Sequence, residues 1–218
     1  MDYQKPVYFN LVKHYESCFM NYGATPKGVD WPKKEDVVTR FNIMIEMLKP
    51  WLNHKAKLKL LDLGCGYGAL YGHLLQLKLV KFIDYSGIDL SLEILKAAKT
   101  LYPDIKFSHC DLLGGSTMIE DFDFIIMNGL FTVKSQMTQP QMFDFFSAML
   151  DKVYRIARIG LSFNIMSTHV DWLRDDLFHV SFDKMAEILQ KVCGRHFVFR
   201  ADYGLYEYTV YVYKKPRT

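Results

Sequence analysis

The chain has 218 residues, half of them hydrophobic and 15% aromatic, which suits one α/β domain with a full core and is short for two. Its 27 basic and 24 acidic side chains leave a net charge of +3, too mild a surplus to argue for a nucleic-acid groove. No run approaches the roughly 20 apolar residues of a membrane helix, and Met1-Asp2-Tyr3-Gln4-Lys5-Pro6 lacks the apolar run of a secretory signal, so the expected compartment is the cytosol.

Residues 1–56 read as a helical, aromatic cap. Leu11, Val12, Tyr15, Phe19 and Met20 recur at helical spacing over residues 10–21. A turn-rich break, Tyr22-Gly23-Ala24-Thr25-Pro26-Lys27-Gly28, leads into Val29-Asp30-Trp31-Pro32. A second helix is predicted over residues 35–51, with Val37, Val38, Phe41, Met44, Ile45 and Leu48 inward and Pro50 limiting its end. From Lys57 strands and helices alternate. Predicted strands cover 58–63, a run ending at Ile88-Asp89, 105–109, 122–127 and 159–165; helices cover 69–77, a segment after the N-cap Ser91, and 140–157. Such alternation implies a parallel sheet with helices on both faces. The tail differs: a helix over 181–192, a strand at 197–199, and an alternating run over 206–213 with no room for a crossover after it. That last run is therefore expected to pair antiparallel, at or near the sheet edge.

In an open parallel sheet, ligands sit beyond the carboxyl ends of the strands. Here the first four strand ends carry Gly64-Cys65-Gly66-Tyr67-Gly68, Asp89, Asp111 and Asn128 in that order. Gly64 and Gly66 allow a tight turn and close backbone approach to a ligand. Asp62 can accept from that loop or from a ligand ammonium. Asp89, 21 residues past Gly68, can take hydrogen bonds from ribose hydroxyls, and Asp111 can accept from an adenine amino group between the apolar walls Leu90 and Leu112. The pattern Gly64-x-Gly66-x-x-Ala69 also satisfies a dinucleotide fingerprint, so a nicotinamide-dependent reductase stands as an alternative. Against it, no substrate domain follows, and Tyr102-x-x-x-Lys106 flanks Pro103 before a strand instead of lying on a helix.

Leu61-Asp62-Leu63-Gly64-Cys65-Gly66-Tyr67-Gly68, Gly87-Ile88-Asp89-Leu90-Ser91 and Cys110-Asp111-Leu112 resemble the successive motifs of the class I S-adenosylmethionine-dependent methyltransferase superfamily. The resemblance covers about residues 57–164. It implies a Rossmann-like, seven-stranded, mostly parallel sheet with a reversed final strand behind an N-terminal helical cap. It also implies S-adenosylmethionine as cofactor, and a single domain divided into a cap (1–56), a cofactor-binding core (57–166) and an acceptor-side C-terminal part (167–218). The cofactor contacts expected on this basis are Arg40, Asp62, Gly64, Gly66, Asp89, Leu90, Asp111, Leu112 and Asn128, with Arg40 placed on the methionine carboxylate by similarity.

The acceptor side is less marked. A hydroxyl acceptor benefits from a general base, and Ser167-Thr168-His169-Val170-Asp171-Trp172 follows the fifth strand, so His169, oriented by Asp171 or replaced by it, is the expected base. Tyr8, His14, Tyr15, Tyr22, Asp30 and Trp31 are cap candidates; Tyr22, Asp30 and Trp31, with Tyr203 and Tyr206 from the turn before the last strand, are expected at the acceptor. Asn128-Gly129-Leu130-Phe131 lacks the paired prolines typical of enzymes that methylate exocyclic base amines. The expected partner is thus a small polar molecule, methylated at a hydroxyl of a sugar-like or other hydroxylated metabolite, not a nucleic acid or membrane. A cofactor-binding but inactive partner subunit is a further alternative. Cys18, Cys65, Cys110 and Cys193 are scattered without a C-x-x-C pair; they read as small apolar fillers, and no metal ligand is assigned.

Overall fold

A computed structural model describes residues 6–52, 56–115 and 121–217. Met1 to Lys5, which include most of the segment read for a secretory signal, lie outside the described residues. The chain begins with helix α1 (Phe9–Tyr22), a 3₁₀ turn (Pro26–Val29), α2 (Lys34–Glu46) and a second 3₁₀ turn (Lys49–Trp51) that carries Pro50. There follow β1 (Leu58–Leu63), α3 (Ala69–Gln76), β2 (Ile83–Asp89), α4 (Leu92–Leu101), β3 (Lys106–His109), β4 (Phe122–Met127), α5 (Gln139–Ile156) and β5 (Ala157–Ser167). The chain ends with β6 (His179–Val180), α6 (Phe182–Val192), β7 (Phe197–Arg200) and β8 (Glu207–Tyr213).

Seven strands pair in the order β3-β2-β1-β4-β5-β8-β7, and the two-residue β6 joins β5 off this path. β1, β2, β3, β4 and β5 are mutually parallel, whereas β8 runs antiparallel to both β5 and β7. The reversed final strand is thus one strand in from the edge, with β7 outside it. Order reverses between β1 and β4, so the crevice of an open α/β sheet opens at their carboxyl ends.

Side-chain alternation divides the core into two layers. Leu61, Leu63, Ile125 and Met127 face α5 and α6, where Met142, Phe146, Leu150, Met185 and Leu189 are buried. Leu58, Leu60, Phe124 and Ile126 face α2, α3 and α4, meeting Phe41, Met44, Leu70, Leu74 and Leu95. Val38 departs from the sequence expectation: α2 docks through Val37, Phe41, Met44 and Ile45, which leaves Val38 on the solvent side of that stripe. Helix starts follow local chemistry. Ser91 Oγ accepts from the Ile94 N–H, and Thr138 with Gln141 forms a capping box on α5.

Candidate active site

A cavity lies at the strand-order reversal, walled by the ends of β1, β2 and β4, by the loop after β3, and by α1 with the loop before α2. Three carboxylates line it, Asp62, Asp89 and Asp111, and no lysine, arginine or histidine is among the described lining residues. Apart from Ser91 and Asn128, the rest is glycine, apolar or aromatic, including Leu11, Tyr15, Val29, Trp31, Leu90, Leu112 and Phe145.

The glycine loop takes its path because β1 must turn sharply into α3. Gly64, Gly66 and Gly68 all have positive φ (78°, 53° and 82°), where an L side chain is strained. A Cβ on Gly66 would meet only Val29 at 3.5 Å, so its backbone is open to the cavity. Asp89 ties the loop to β2: its carboxylate accepts from Gly66 N–H and from Ser91 N–H, each at 2.9 Å. Burial pushes the Asp89 carboxyl up, and those backbone donors pull it back.

Asp62 is 3% exposed and accepts a 2.6 Å hydrogen bond from the Tyr85 hydroxyl. Burial pushes it up to about 7; the Tyr85 bond lowers it and the neighbouring Asp89 charge raises it. Asp111 is held from two sides. Leu113 N–H and Gly114 N–H donate to Oδ1, and the Tyr8 hydroxyl at the start of the cap donates to both oxygens at 3.0–3.1 Å. Asn128, just past β4, has a buried Oδ1 with no partner.

A ring of contacts supports the turn after Asn128. The Asn164 Oδ1 on β5 accepts from Gly129 N–H at 2.7 Å, and its Nδ2 donates to Glu207 at 2.9 Å. Arg40 Nε donates to both Glu207 oxygens at 2.8–2.9 Å, and the guanidinium stacks 4.2 Å over the Trp31 ring. Trp31 closes the ring by lying on Gly129, where a Cβ would sit 2.7 Å from its Cζ2. Tyr15 and Thr132 donate to the Gly129 carbonyl at 3.3 and 3.1 Å.

Among the expected cofactor residues, Asp62, Gly64, Gly66, Asp89, Leu90, Asp111, Leu112 and Asn128 line the cavity together, and Trp31 joins them from the acceptor set. Others are placed elsewhere. Arg40 is not on the cavity wall, because the buried Glu207 carboxylate holds its Nε. His169 and Asp171 are exposed and away from the cavity. The His169 ring stacks on Phe182, and Asp171 accepts from the Tyr206 hydroxyl at 2.8 Å. Tyr206 and Tyr22 are themselves more than half exposed, and the Tyr203 hydroxyl pairs with Thr209. Asp30 turns outward to His14 at 2.8 Å. For all of these but Tyr22, a partner on the surface or in the ring accompanies the side chain's position off the wall. Sequence reasoning missed Asn164 and read Glu207 only as part of the polar turn of residues 202–207, able to line the acceptor pocket or to shape the hairpin. The available signal was a carboxylate opening an otherwise apolar strand, Glu207 before Tyr208-Thr209-Val210-Tyr211-Val212.

Residues 60–160 match the family model described as "Methyltransferase domain". Over 155 residues the chain is 30% identical to the Mycobacterium tuberculosis protein named "Putative methyltransferase Rv1506c", spanning 70% of this chain and 91% of that one. Two solved structures show the same fold. A DhpI complex with S-adenosylhomocysteine superposes with a TM-score of 0.64 at 18% identity, covering 97% of this chain and 98% of the other. Magnesium protoporphyrin IX methyltransferase from Synechocystis PCC 6803 with bound S-adenosylmethionine superposes at 0.61 with 17% identity, covering 96% and 95%. The chain belongs to the methyltransferase-domain family and is an enzyme, and it has the fold of S-adenosylmethionine-dependent methyltransferases.

Proposed function

We propose that this enzyme methylates a hydroxyl of a small, uncharged or cationic metabolite, sugar-like or otherwise hydroxylated, which enters between Trp31 and Asn128. The observation that carries this reading is the unpartnered Asn128 Oδ1, a buried neutral acceptor in a wall that, apart from its three carboxylates, is mainly aromatic and apolar. Leaving such an atom buried costs about 1–3 kcal/mol until an O–H or N–H donor meets it.

The residues present fit the cofactor. S-adenosylmethionine supplies a methyl group already activated by its sulfonium. Its positive sulfonium and ammonium suit a cavity with three carboxylates, whereas a dinucleotide pyrophosphate would meet the same acids with no lysine, arginine or histidine among the described lining residues. Asp62 would hold the ammonium, Asp89 the ribose hydroxyls, and Asp111 the adenine amino group between Leu90 and Leu112. Gly64 and Gly66 let the loop backbone lie against the ligand. The protein's main work is alignment and exclusion of water. Arg40, Glu207 and Asn164 hold Trp31 and Gly129 in place, and Asn128 Oδ1 would accept a hydrogen bond from the acceptor hydroxyl and so orient its oxygen. Since His169 and Asp171 are off the cavity wall, this scheme uses no side-chain base.

Radiolabelled methyl transfer to a panel of neutral hydroxylated, amino and phosphorylated compounds tests the acceptor class. Neutral hydroxyl acceptors should turn over, and Asn128→Ala should raise acceptor KM while leaving S-adenosylhomocysteine affinity within about threefold. Methylation only at nitrogen or carbon would end the hydroxyl assignment. An Asn128→Ala defect confined to cofactor binding would return that residue to the cofactor.

A further inference from the structure

We infer that His14, Cys18 and Asp30 form a three-ligand site for zinc or a similar borderline divalent transition ion on the outer face of the N-terminal cap. His14 and Cys18 lie one helical turn apart on the same face of α1. Asp30 reaches them from the residue that caps the Pro26–Val29 turn. Asp30 Oδ2 is 2.8 Å and Cys18 Sγ is 4.0 Å from the same nitrogen, His14 Nε2, and all three ligand atoms lie within 4.8 Å of one another.

That convergence separates a chelating cluster from a proton relay. A relay links its acid to one imidazole nitrogen and its nucleophile to the other. Here one ring nitrogen faces both, and a single N–H cannot serve two acceptors well. Zinc bonds of about 2.0–2.3 Å in a tetrahedron put the ligand atoms roughly 3.3–3.6 Å apart. The observed separations straddle that range, so an ion needs adjustments of about 1 Å or less.

The third ligand is held in advance. Asp30 is a non-glycine residue at φ 60°, fixed there by its N–H on the Lys27 and Pro26 carbonyls. Gly28 packs so tightly on Gly23 that a Cβ would lie only 1.9 Å from the Gly23 oxygen, which presses this loop onto the end of α1. Thr25 Oγ1 accepts from Gly28 N–H and donates to the Tyr22 carbonyl. A rigid loop across a helix turn gives the donor set its geometry before any ion arrives. The His14 and Asp30 side chains remain 33% and 43% exposed, so a fourth position opens to solvent for water or a small oxygen or nitrogen donor. Arg174 lies within electrostatic reach of Asp30 but is itself paired with Asp176.

The test is cobalt titration of the metal-stripped full chain, followed by absorbance, with zinc as competitor. Cobalt bound here should give a thiolate-to-metal charge-transfer band saturating at one equivalent and erased by zinc. Cys18→Ser should abolish the band, Asp30→Asn should weaken cobalt binding at least tenfold, and Cys110→Ser should leave both unchanged. Zinc should raise the melting temperature of the wild type but not of Cys18→Ser, whose metal-free melting temperature should match the wild type and so certify its fold. No thiolate band in the wild type, or one that persists in Cys18→Ser, would overturn the site. This outcome is independent of the acceptor assigned above.

Discussion

Asp62 gives the most quantitative handle on the site. Its carboxyl is pushed up from the ordinary 3.8 to about 7 by burial at the end of β1. Below pH 3.8 the group is protonated in folded and unfolded chains alike and contributes nothing to pH dependence. Between the two values the unfolded chain loses its proton while the folded chain keeps it, so stability falls as pH rises. At 1.36 kcal/mol per pKa unit, the span from 3.8 to about 7 amounts to about 4 kcal/mol. Asp62→Asn keeps an acceptor for the Tyr85 hydroxyl but carries no titrating proton. Urea unfolding of both proteins from pH 4 to pH 8, read by circular dichroism, should show the variant gaining up to about 4 kcal/mol on the wild type as pH rises. A wild-type minus variant difference that stays flat across that range would refute the buried-acid argument. If a ligand ammonium faces Asp62, S-adenosylhomocysteine binding should also release a proton near pH 6, and the variant should release none.

Other outcomes follow from the same geometry. Asp89→Ala removes two ribose hydrogen bonds to a carboxylate, about 1.5–3 kcal/mol each, so calorimetry should show S-adenosylhomocysteine affinity falling at least a hundredfold; wild-type affinity would cancel the ribose assignment. Arg40→Ala leaves the buried Glu207 carboxylate without its cation, which typically costs about 3–5 kcal/mol; a loss below about 1 kcal/mol in chemical denaturation would show the ring to be slack. Gly129→Ala forces a Cβ against Trp31 at φ +79°, and acceptor KM should rise severalfold with cofactor affinity intact. His169→Ala should leave kcat unchanged, since the ring lies on Phe182 outside the cavity; a large fall in kcat would restore it as the base.

The elements most legible in the sequence were those set by local rules. Ser91 was readable as an N-cap because a hydroxyl before an apolar-periodic run meets the free N–H groups of a helix start, and it caps α4 as expected. The strand 122–127 was readable from its apolar run and emerges as Phe122–Met127. Asp89 and Asp111 were placed by order, because parallel connectivity puts every strand's carboxyl end on the same edge, and both line the cavity. Val38 marks the limit of periodicity, which gives a stripe but not its centre.

The remainder depends on which side chains meet across long chain separations. Glu207 could be seen as a charge at the head of an apolar strand, yet only the pairing of β8 with β5 brings it to Asn164, and only the docking of α2 brings Arg40 to it. That encounter keeps Arg40 off the cavity wall and sets its guanidinium over Trp31. His169 and Asp171 sit at a plausible chain position for a base, but the strand end points them to solvent. Local sequence therefore determined the elements, their order and the sheet edge at which Asp89 and Asp111 line the cavity, because each obeys rules spanning a few residues. Tertiary structure decided the setting of Asn128 beside Trp31 and Gly129, the Arg40–Glu207 pair and the His14, Cys18 and Asp30 cluster, because a polar side chain takes whichever partner the fold delivers, and sequence spacing does not specify that partner.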